Sequence, residues 1–373
     1  RELAENMSTE TYRLHFCSEE LFISEQYKIS KSYTSQSIKD IVSDICGKNG
    51  NGTGSDATKT LKISKTLDMD DTKGLYSFII PNLKPFDAIN WLSVYAQPQS
   101  KYVGADMLFY ENRDGFHFKS LQNLMAGQNS STVMTYEYSP KNLFGPTDGE
   151  NLTEGIVNAF TYEILESYDT LKNTAHGVFA NRLISVDIMT RKVKTTEFDY
   201  FKYQAEAGSL NKNKVIDNTI NRHGDQLNQT SNACLKLVFS NFDQHDPANA
   251  QRLSTGISPT SGLPSVAPNI DAEVYIPYRT AQLSLANYTR LRISVPGDPE
   301  LAVGKKIKFN LLTNAPGQKF PNQFYSGNYL ITAVRHLLNQ SEYKTVLEIA
   351  KESVPTPYAN NPNKQASWTK AIS

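Results

Sequence analysis

Between Thr289 and Ala350, apolar and polar residues alternate in four successive runs separated by turn residues. Leu291, Ile293 and Val295 alternate with Arg290, Arg292 and Ser294, the two-residue period of a half-buried strand. Pro296-Gly297-Asp298-Pro299 then supplies a fixed φ and a glycine able to turn. Ile307, Phe309 and Leu311 alternate with Lys306 and Lys308, and Phe324–His336 and Tyr343–Ala350 add two more runs around Asn339-Gln340-Ser341-Glu342. The pattern predicts a four-strand antiparallel meander. A few short strands seldom suffice alone, so it needs partners from elsewhere in the chain.

Upstream, residues 1–7 are polar and read as a mobile start. Tyr12, Leu14 and Phe16 alternate with polar neighbours, and Leu21–Ile23 and Tyr27–Ile29 continue an extended pattern. Ser35–Cys46 reads as a helix, with Ile38, Ile41, Val42 and Ile45 on one stripe. Ser37 followed by Asp40 resembles a capping box, and Gly47 stops the helix. Leu75–Pro81 is extended. Pro85 opens a second helix through Ala88, Trp91, Leu92 and Tyr95, and Pro98 ends it. Met107–Tyr110 and Phe116–Phe118 form a hairpin around Glu111–Gly115. Residues 33–130 therefore read as an α/β unit.

Thr132–Tyr138 alternates as a strand. Ile156–Leu165 and Ala180–Met189 read as long strands joined across Thr170–Gly177 into a large hairpin, with Lys192–Phe201 continuing extended. Residues 201–280 are rich in Asn, Gln, Asp and Ser and read as an exposed insertion with a little β structure at Cys234–Phe239 and Val274–Ile276. Arg279–Asn287 is a short helix or connector. The chain ends in a proline- and asparagine-rich tail. Hairpin and meander together supply about six strands, enough to close one barrel across the insertion.

Composition narrows the function classes. The 373 residues hold 38 basic and 38 acidic side chains, without the excess of Lys and Arg typical of a nucleic-acid binder. The 20 Tyr and 17 Phe suit a β-rich core and contact surfaces. No window approaches ~18 uninterrupted apolar residues, so no membrane-spanning helix is expected. Cys17, Cys46 and Cys234 are far apart and form neither a disulfide framework nor a zinc spacing, which fits a reducing compartment.

Candidate chemistry is sparse. Glu163, Glu166 and Asp169 invite a glycosidase reading, but strand spacing alone does not set the separation of roughly 5–10 Å that two catalytic carboxylates need. His15, His117, His176, His223, His245 and His336 show no ligand spacing. Gly47-Lys48 lacks the Ser or Thr that follows Lys in a phosphate loop. No catalytic residue, metal or cofactor is expected. Lys305, Lys306 and Lys308, with Arg290 and Arg292, form a basic cluster on the meander, read either as a contact or lumen surface or as a solvated strand face.

The layout resembles the baseplate hub protein of contractile-tailed phages, related to the hub part of type VI secretion spike proteins and to phage late-control D proteins. The resemblance is carried by Leu291–Gly297 followed by Leu301–Ile307, by Tyr329–His336 and Tyr343–Ile349, by Ser37–Cys46 and Asp87–Ala96, by Gly104–Phe109, and by Gly177–Met189. It implies an α+β, β-dominated fold: tube-type antiparallel β-barrels with an inserted small α/β domain and a loop-rich insertion. On that reading residues 1–32 are the C-terminal remnant of a first tube barrel and 33–150 the α/β domain. Residues 151–200 with 285–352 form the second barrel, 201–284 the insertion and 353–373 a flexible tail.

The resemblance also implies a homotrimer that joins a threefold central spike to a sixfold tail tube around a channel for DNA. Its partners would be the spike, tube or tube-initiator proteins and the tape-measure protein, with DNA only in transit and no membrane. Its place would be the virion tail baseplate, assembled in the host cytoplasm. A symmetry mismatch can be absorbed by a subunit that carries two similar surfaces, and this requires no catalysis. A tail-associated cell-wall hydrolase and a carbohydrate-binding peripheral tail protein remain the competing readings.

Overall fold

The computed structural model describes residues 3–6, 9–48, 61–100, 102, 104–127, 133–138, 156–167, 169–187, 191–204, 206–211, 213–214, 216, 226–229, 235–239, 272–312, 321–322 and 324–355. Gly317, His223, His245, Cys234 and most of the loop at Lys48–Thr58 lie outside them. The fold is α+β and β-dominated, in two compact units.

The first unit comprises Arg1–Gln99 and Met107–Phe118. Its elements are β1 (Leu3–Asn6), β2 (Thr9–Tyr12), α1 (Glu19–Gln26), β3 (Ser32–Gln36), α2 (Ile38–Ile45), β4 (Thr66–Met69), β5 (Tyr76–Ile79), α3 (Pro85–Tyr95), β6 (Met107–Asn112) and β7 (Gly115–Ser120). The α2 stripe is fully buried at Ile38, Ile41, Val42 and Ile45. Ser37 caps the helix, its Oγ accepting from Asp40 N at 3.1 Å. Pro85 stands at the first turn of α3, where its missing N–H costs nothing. Ala88, Ile89 and Leu92 turn inward, and Phe78 meets the Trp91 and Tyr95 rings at 5.4 and 5.8 Å.

Sequence and structure differ at the start of this unit. Leu21–Ile23, expected to be extended, lies in α1, where Glu19 and Glu20 in the first turn suit the helix N-terminus. The alternation at Leu14 and Phe16 builds no strand, and both side chains are exposed. The polar opening residues instead pair, Leu3–Asn6 against Thr9–Tyr12.

The second unit comprises Ser100–Asp106, Lys119–Phe242 and Asp271–Ser373. It contains α4 (Leu121–Ala126), β8 (Thr135–Tyr138), β9 (Ile156–Asn158), β10 (Thr161–Glu166), α5 (Thr170–Ala175), β11 (Ala180–Asp187), β12 (Lys192–Asp199), α6 (Tyr200–Tyr203), β13 (Leu235–Phe239), α7 (Ala272–Ala286), β14 (Thr289–Pro296), β15 (Lys306–Leu311), β16 (Gly327–Leu338) and β17 (Tyr343–Lys351).

Seven strands form one sheet in the order β10-β14-β17-β16-β15-β8-β9. Its two ends are successive pieces of a single stretch, 156–166. At the bend, Ala159 N donates to Glu137 O at 2.9 Å and Phe160 N to Ser294 O at 2.7 Å. The first piece pairs with β8 and the second with β14, so the sheet curls back on itself. Leu291, Ile293, Val295, Ile307, Phe309, Tyr329, Ile331, Leu347 and Ile349 fill the interior with Tyr136. Past the bend β10 pairs, among the described residues, with β14 alone.

The expected meander is corrected in its order. β14 lies beside β17 and not beside β15. The result is a Greek key run in reverse, three consecutive antiparallel strands with the first strand, β14, returned to the far side. The wall is mixed rather than wholly antiparallel, since β8 runs parallel to β15 and to β9.

The expected large hairpin does not form. β10 joins the barrel sheet, whereas β11 pairs with β12 and, in parallel, with β13 in a separate three-stranded sheet. The connector between β10 and β11 is helix α5, capped by Asp169 Oδ1, which accepts from Lys172 N at 3.0 Å. Thr135–Tyr138 takes a place in the barrel wall instead. Val274–Ile276, read as extended, lies in α7, which carries Pro277 in its interior. Tyr278, Ala281, Leu285 and Tyr288, from α7 and the turn after it, share a core with Phe179, Phe198 and Tyr200.

Candidate interaction surface

Strand pleat places Arg290 and Arg292 of β14 outward, because Leu291 and Ile293 point into the barrel. Each arginine stands between glutamates of the two neighbouring strands. Arg292 Nη1 lies 2.8 Å from Glu163 Oε2 of β10 and its Nη2 2.9 Å from Glu348 Oε1 of β17. Arg290 Nη2 lies 3.0 Å from Glu348 Oε2 and its Nη1 3.7 Å from Glu166 Oε2. Hydrogen bonds and attraction from both arginines hold the Glu348 carboxyl below its ordinary range. The ladder crosses three strands on the outer wall, with two arginines set among three glutamates.

The lysines of the predicted cluster separate from it. Lys305 Nζ donates to Glu300 O at 2.9 Å. Lys306 is half-buried; burial pushes its amine down while Glu352 opposes the shift. Lys308 is exposed on β15, its backbone N donating to Met134 O at 3.0 Å. The structure thus brings Arg290 and Arg292 together with acidic partners and leaves the lysines on other strands and turns.

The carboxylates of the glycosidase reading are likewise engaged. Glu163 and Glu166 face arginines, and Asp169 caps α5. A cleft of about 510 Å³ is lined by Glu166, Asp169, Lys172, His176, Tyr288 and Arg290, among others. His117 contacts Asn112 Oδ1 at 2.9 Å, and His336 Nδ1 lies 3.2 Å from Thr345 Oγ1. Among the described residues, no group of three His, Cys, Asp or Glu side chains could hold a metal ion. Burial pushes the Cys46 thiol well up, and Cys17 is exposed.

Sequence reasoning missed a buried polar joint at the end of β17. Lys351, Glu352 and Ser353 are buried, although the sequence places 353 in a flexible tail. Glu352 Oε1 accepts from Leu210 N at 2.6 Å and from Ser353 Oγ at 2.9 Å. Asn211 N donates to Ser353 Oγ at 2.8 Å, and Asn211 Nδ2 donates to Asn328 O and Ser353 O, each at 3.1 Å. Asn213 pairs with Val354 through both backbone bonds, at 3.1 and 3.0 Å. Part of the polar 201–284 segment is therefore packed against the barrel strands and not exposed. A run such as Leu210-Asn211-Lys212-Asn213 carries no periodicity that would have revealed this.

No protein-family model matches the chain. The probable baseplate hub protein gp334 of Vibrio phage KVP40 is 20% identical over 277 residues, which span 72% of this chain and 58% of that protein. Two solved structures align with lower identity. A tail protein from Neisseria meningitidis MC58 is 11% identical with a TM-score of 0.43, over 89% of this chain and 72% of the other. The 43 kDa tail protein of prophage MuSo2 from Shewanella oneidensis is 9% identical with a TM-score of 0.43, over 89% and 70%. This β-dominated chain, with its curled barrel sheet, is accordingly baseplate hub-like, by its similarity to a probable phage baseplate hub protein of which it spans a little over half the length.

Proposed function

We propose that the chain is a non-enzymatic structural subunit of a contractile phage tail baseplate. It acts as a homotrimer whose barrels form a pseudo-sixfold ring between the threefold central spike and the sixfold tail tube, with a channel for DNA. The observation that carries this reading is the 20% identity over 277 residues to a probable baseplate hub protein. The curled sheet of β8–β10 and β14–β17 is the second tube barrel in this scheme, residues 1–32 are the remnant of the first, and 33–150 are the inserted α/β domain. The spike, the tube or tube-initiator proteins and the tape-measure protein are its partners, and the virion tail, assembled in the host cytoplasm, is its location.

The carboxylates engaged in the Arg–Glu ladder and in the α5 cap favour a contact role over catalysis. Antibody labelling of tailed particles, with averaged images of the tail tip, tests the reading. The expected result is label at the baseplate on a three- or sixfold ring. Label along the sheath or capsid, or clearing of peptidoglycan by the purified chain in a zymogram, would overturn it.

A further inference from the structure

Residues 208–211 and Asn213 form a strap between helix α4 and the end of the barrel sheet, held by hydrogen bonds. Gly208 N donates to Gln122 Oε1 of α4 at 3.2 Å, and the approach is so close that a Cβ on Gly208 would lie 2.6 Å from the Gln122 carbonyl oxygen. Leu210 N donates to Glu352 Oε1 at 2.6 Å and Asn211 N to Ser353 Oγ at 2.8 Å. The Asn211 side chain stands in for a strand residue beside Asn328: its Oδ1 accepts from Asn328 N at 3.0 Å and its Nδ2 donates to Asn328 O at 3.1 Å. Asn213 and Val354 exchange both backbone bonds. Leu210 is the strap's one apolar side chain; it is buried, yet it belongs to neither apolar core of this unit. A segment fastened by polar contacts, with little apolar burial, lies at the low end of local stability and can open while the cores stay packed.

The seat of this strap contains one acid. Glu352 is buried, and its Oε1 takes the hydrogen bonds from Leu210 N and from Ser353 Oγ. Its Oε2 is buried with no hydrogen-bond partner among the described residues. An ionised carboxyl would hold charge on that unpartnered oxygen, a cost that the neutral acid avoids. Two cations act on it: Lys306 at the start of β15, and Lys351, on the opposite pleat face and bonded to Ser326 O inside the barrel. Glu206 and Lys214 flank the strap; Glu206 is exposed, and Lys214 Nζ donates to Phe201 O at 3.2 Å. α4 brings Gln122, whose N donates to the buried Asp106 carboxyl at 2.8 Å. Burial pushes the Glu352 carboxyl up, against its hydrogen bonds and Lys306.

We propose that the strap is a proton-controlled latch: it stays seated on the barrel end while Glu352 is a neutral acid and lifts as that acid ionises. Lifting frees the backbone N–H and C=O of Asn328 and Val354 at the end of the sheet. The latch lies within the second unit and stands independently of the hub reading. In the lifted form Glu352 meets water and titrates at the ordinary carboxyl value; in the seated form it titrates higher. Between those two values lifting releases one proton. The opening constant therefore rises with pH across that window, by up to roughly tenfold per pH unit, and is level on either side of it.

The test is amide hydrogen exchange of the full chain over a pH series, read as protection factors, which divide out the intrinsic pH dependence of exchange. The reporters are the amides of Leu210, Asn211, Asn213, Asn328 and Val354, which lie on both sides of the seam. Leu291 and Ile293 of β14 are the reference. In wild type the five reporters should lose protection together as pH rises, by up to roughly tenfold per unit within the window, while the reference amides hold theirs. Glu352→Gln keeps an acceptor oxygen without the titration, and its reporters should show no such slope. Asn211→Ala keeps the acid and weakens the seam, so its remaining reporters should exchange faster at every pH with the wild-type slope. Circular dichroism checks each fold; should Glu352→Gln not fold, Asn211→Ala decides alone, and loss of the slope there overturns the latch. Wild-type protection independent of pH, a slope that survives in Glu352→Gln, or reference amides that open in parallel with the seam would each overturn it as well.

Discussion

Leu210 N donates to Glu352 Oε1 at 2.6 Å across 142 positions of sequence, and both residues are buried. That bond, with those of Asn211 and Asn213, fastens a polar loop to the end of the last barrel strand.

Glu352→Ala should destabilise the second unit by about 1–3 kcal/mol, because the Leu210 N–H loses its acceptor in a buried place. Glu352→Gln keeps an acceptor oxygen and should cost less. Burial raises the Glu352 carboxyl above its ordinary range, with the hydrogen bonds from Leu210 and Ser353 opposing. A raised acid favours the folded state most when protonated. Its contribution is therefore full below the ordinary carboxyl range and falls as pH rises through the raised value. Urea midpoints over that window should decline for wild type relative to Glu352→Gln; parallel curves would refute the assignment.

Gly304 has φ +88, and its N donates to Ile331 O at 3.0 Å in the turn entering β15. Any L side chain there must adopt a left-handed backbone at a cost of about 1–2 kcal/mol. Gly304→Ala should lower the melting temperature, and Gly304→Val, β-branched, should lower it further. A Gly304→Val protein melting with wild type would mean that the turn rearranges freely.

Local signals were legible and long-range ones were not. The Ser37 cap, the α2 stripe and Pro85 read correctly because each depends on neighbours within one turn. The strands of the 289–351 region read correctly from alternation, but the seating of β14 beside β17 has no local signature. Thr135–Tyr138 is four residues long, too short to announce which sheet it joins. Pro277 argues against a helix on sequence, yet α7 packs against β11 and continues through it, a tertiary gain that outweighs propensity. Arg290 and Arg292 were legible as outward charges; their partners Glu163, Glu166 and Glu348 were not, since two of the three lie on a strand far upstream.

The Arg–Glu ladder should contribute little in pieces. Arg292 is largely solvated, and Arg292→Ala should melt within experimental error of wild type. Glu348, shared by both arginines, is the member whose loss should register. Its carboxyl is depressed, so its contribution is present above the ordinary carboxyl range and lost as pH falls through the lowered value. Glu348→Gln should lower the melting temperature near neutrality, and the difference should shrink both in acid and in high salt. A difference that persists in both would point to packing instead of charge.

Lys351 offers the opposite pH signature to Glu352. It is 1% exposed, its Nζ donates to Ser326 O at 2.8 Å, and it sits 4.8 Å above the Tyr329 ring. Burial pushes its amine down to about 7, with the neighbouring Glu352 carboxylate pulling it back up. Between about 7 and the ordinary lysine value the unfolded chain holds more protons than the folded one, so stability rises with pH across that window and is flat below it. Lys351→Met removes the titration and leaves Ser326 O without this donor. Its deficit against wild type should therefore be smallest near about pH 6 and grow toward about pH 10. Urea midpoints at several pH values measure it, with Lys351→Arg, which stays charged, as the contrasting variant: it should be worse than Lys351→Met in its effect on stability throughout. A Lys351→Met deficit independent of pH would show that the amine remains charged and solvated in the folded protein.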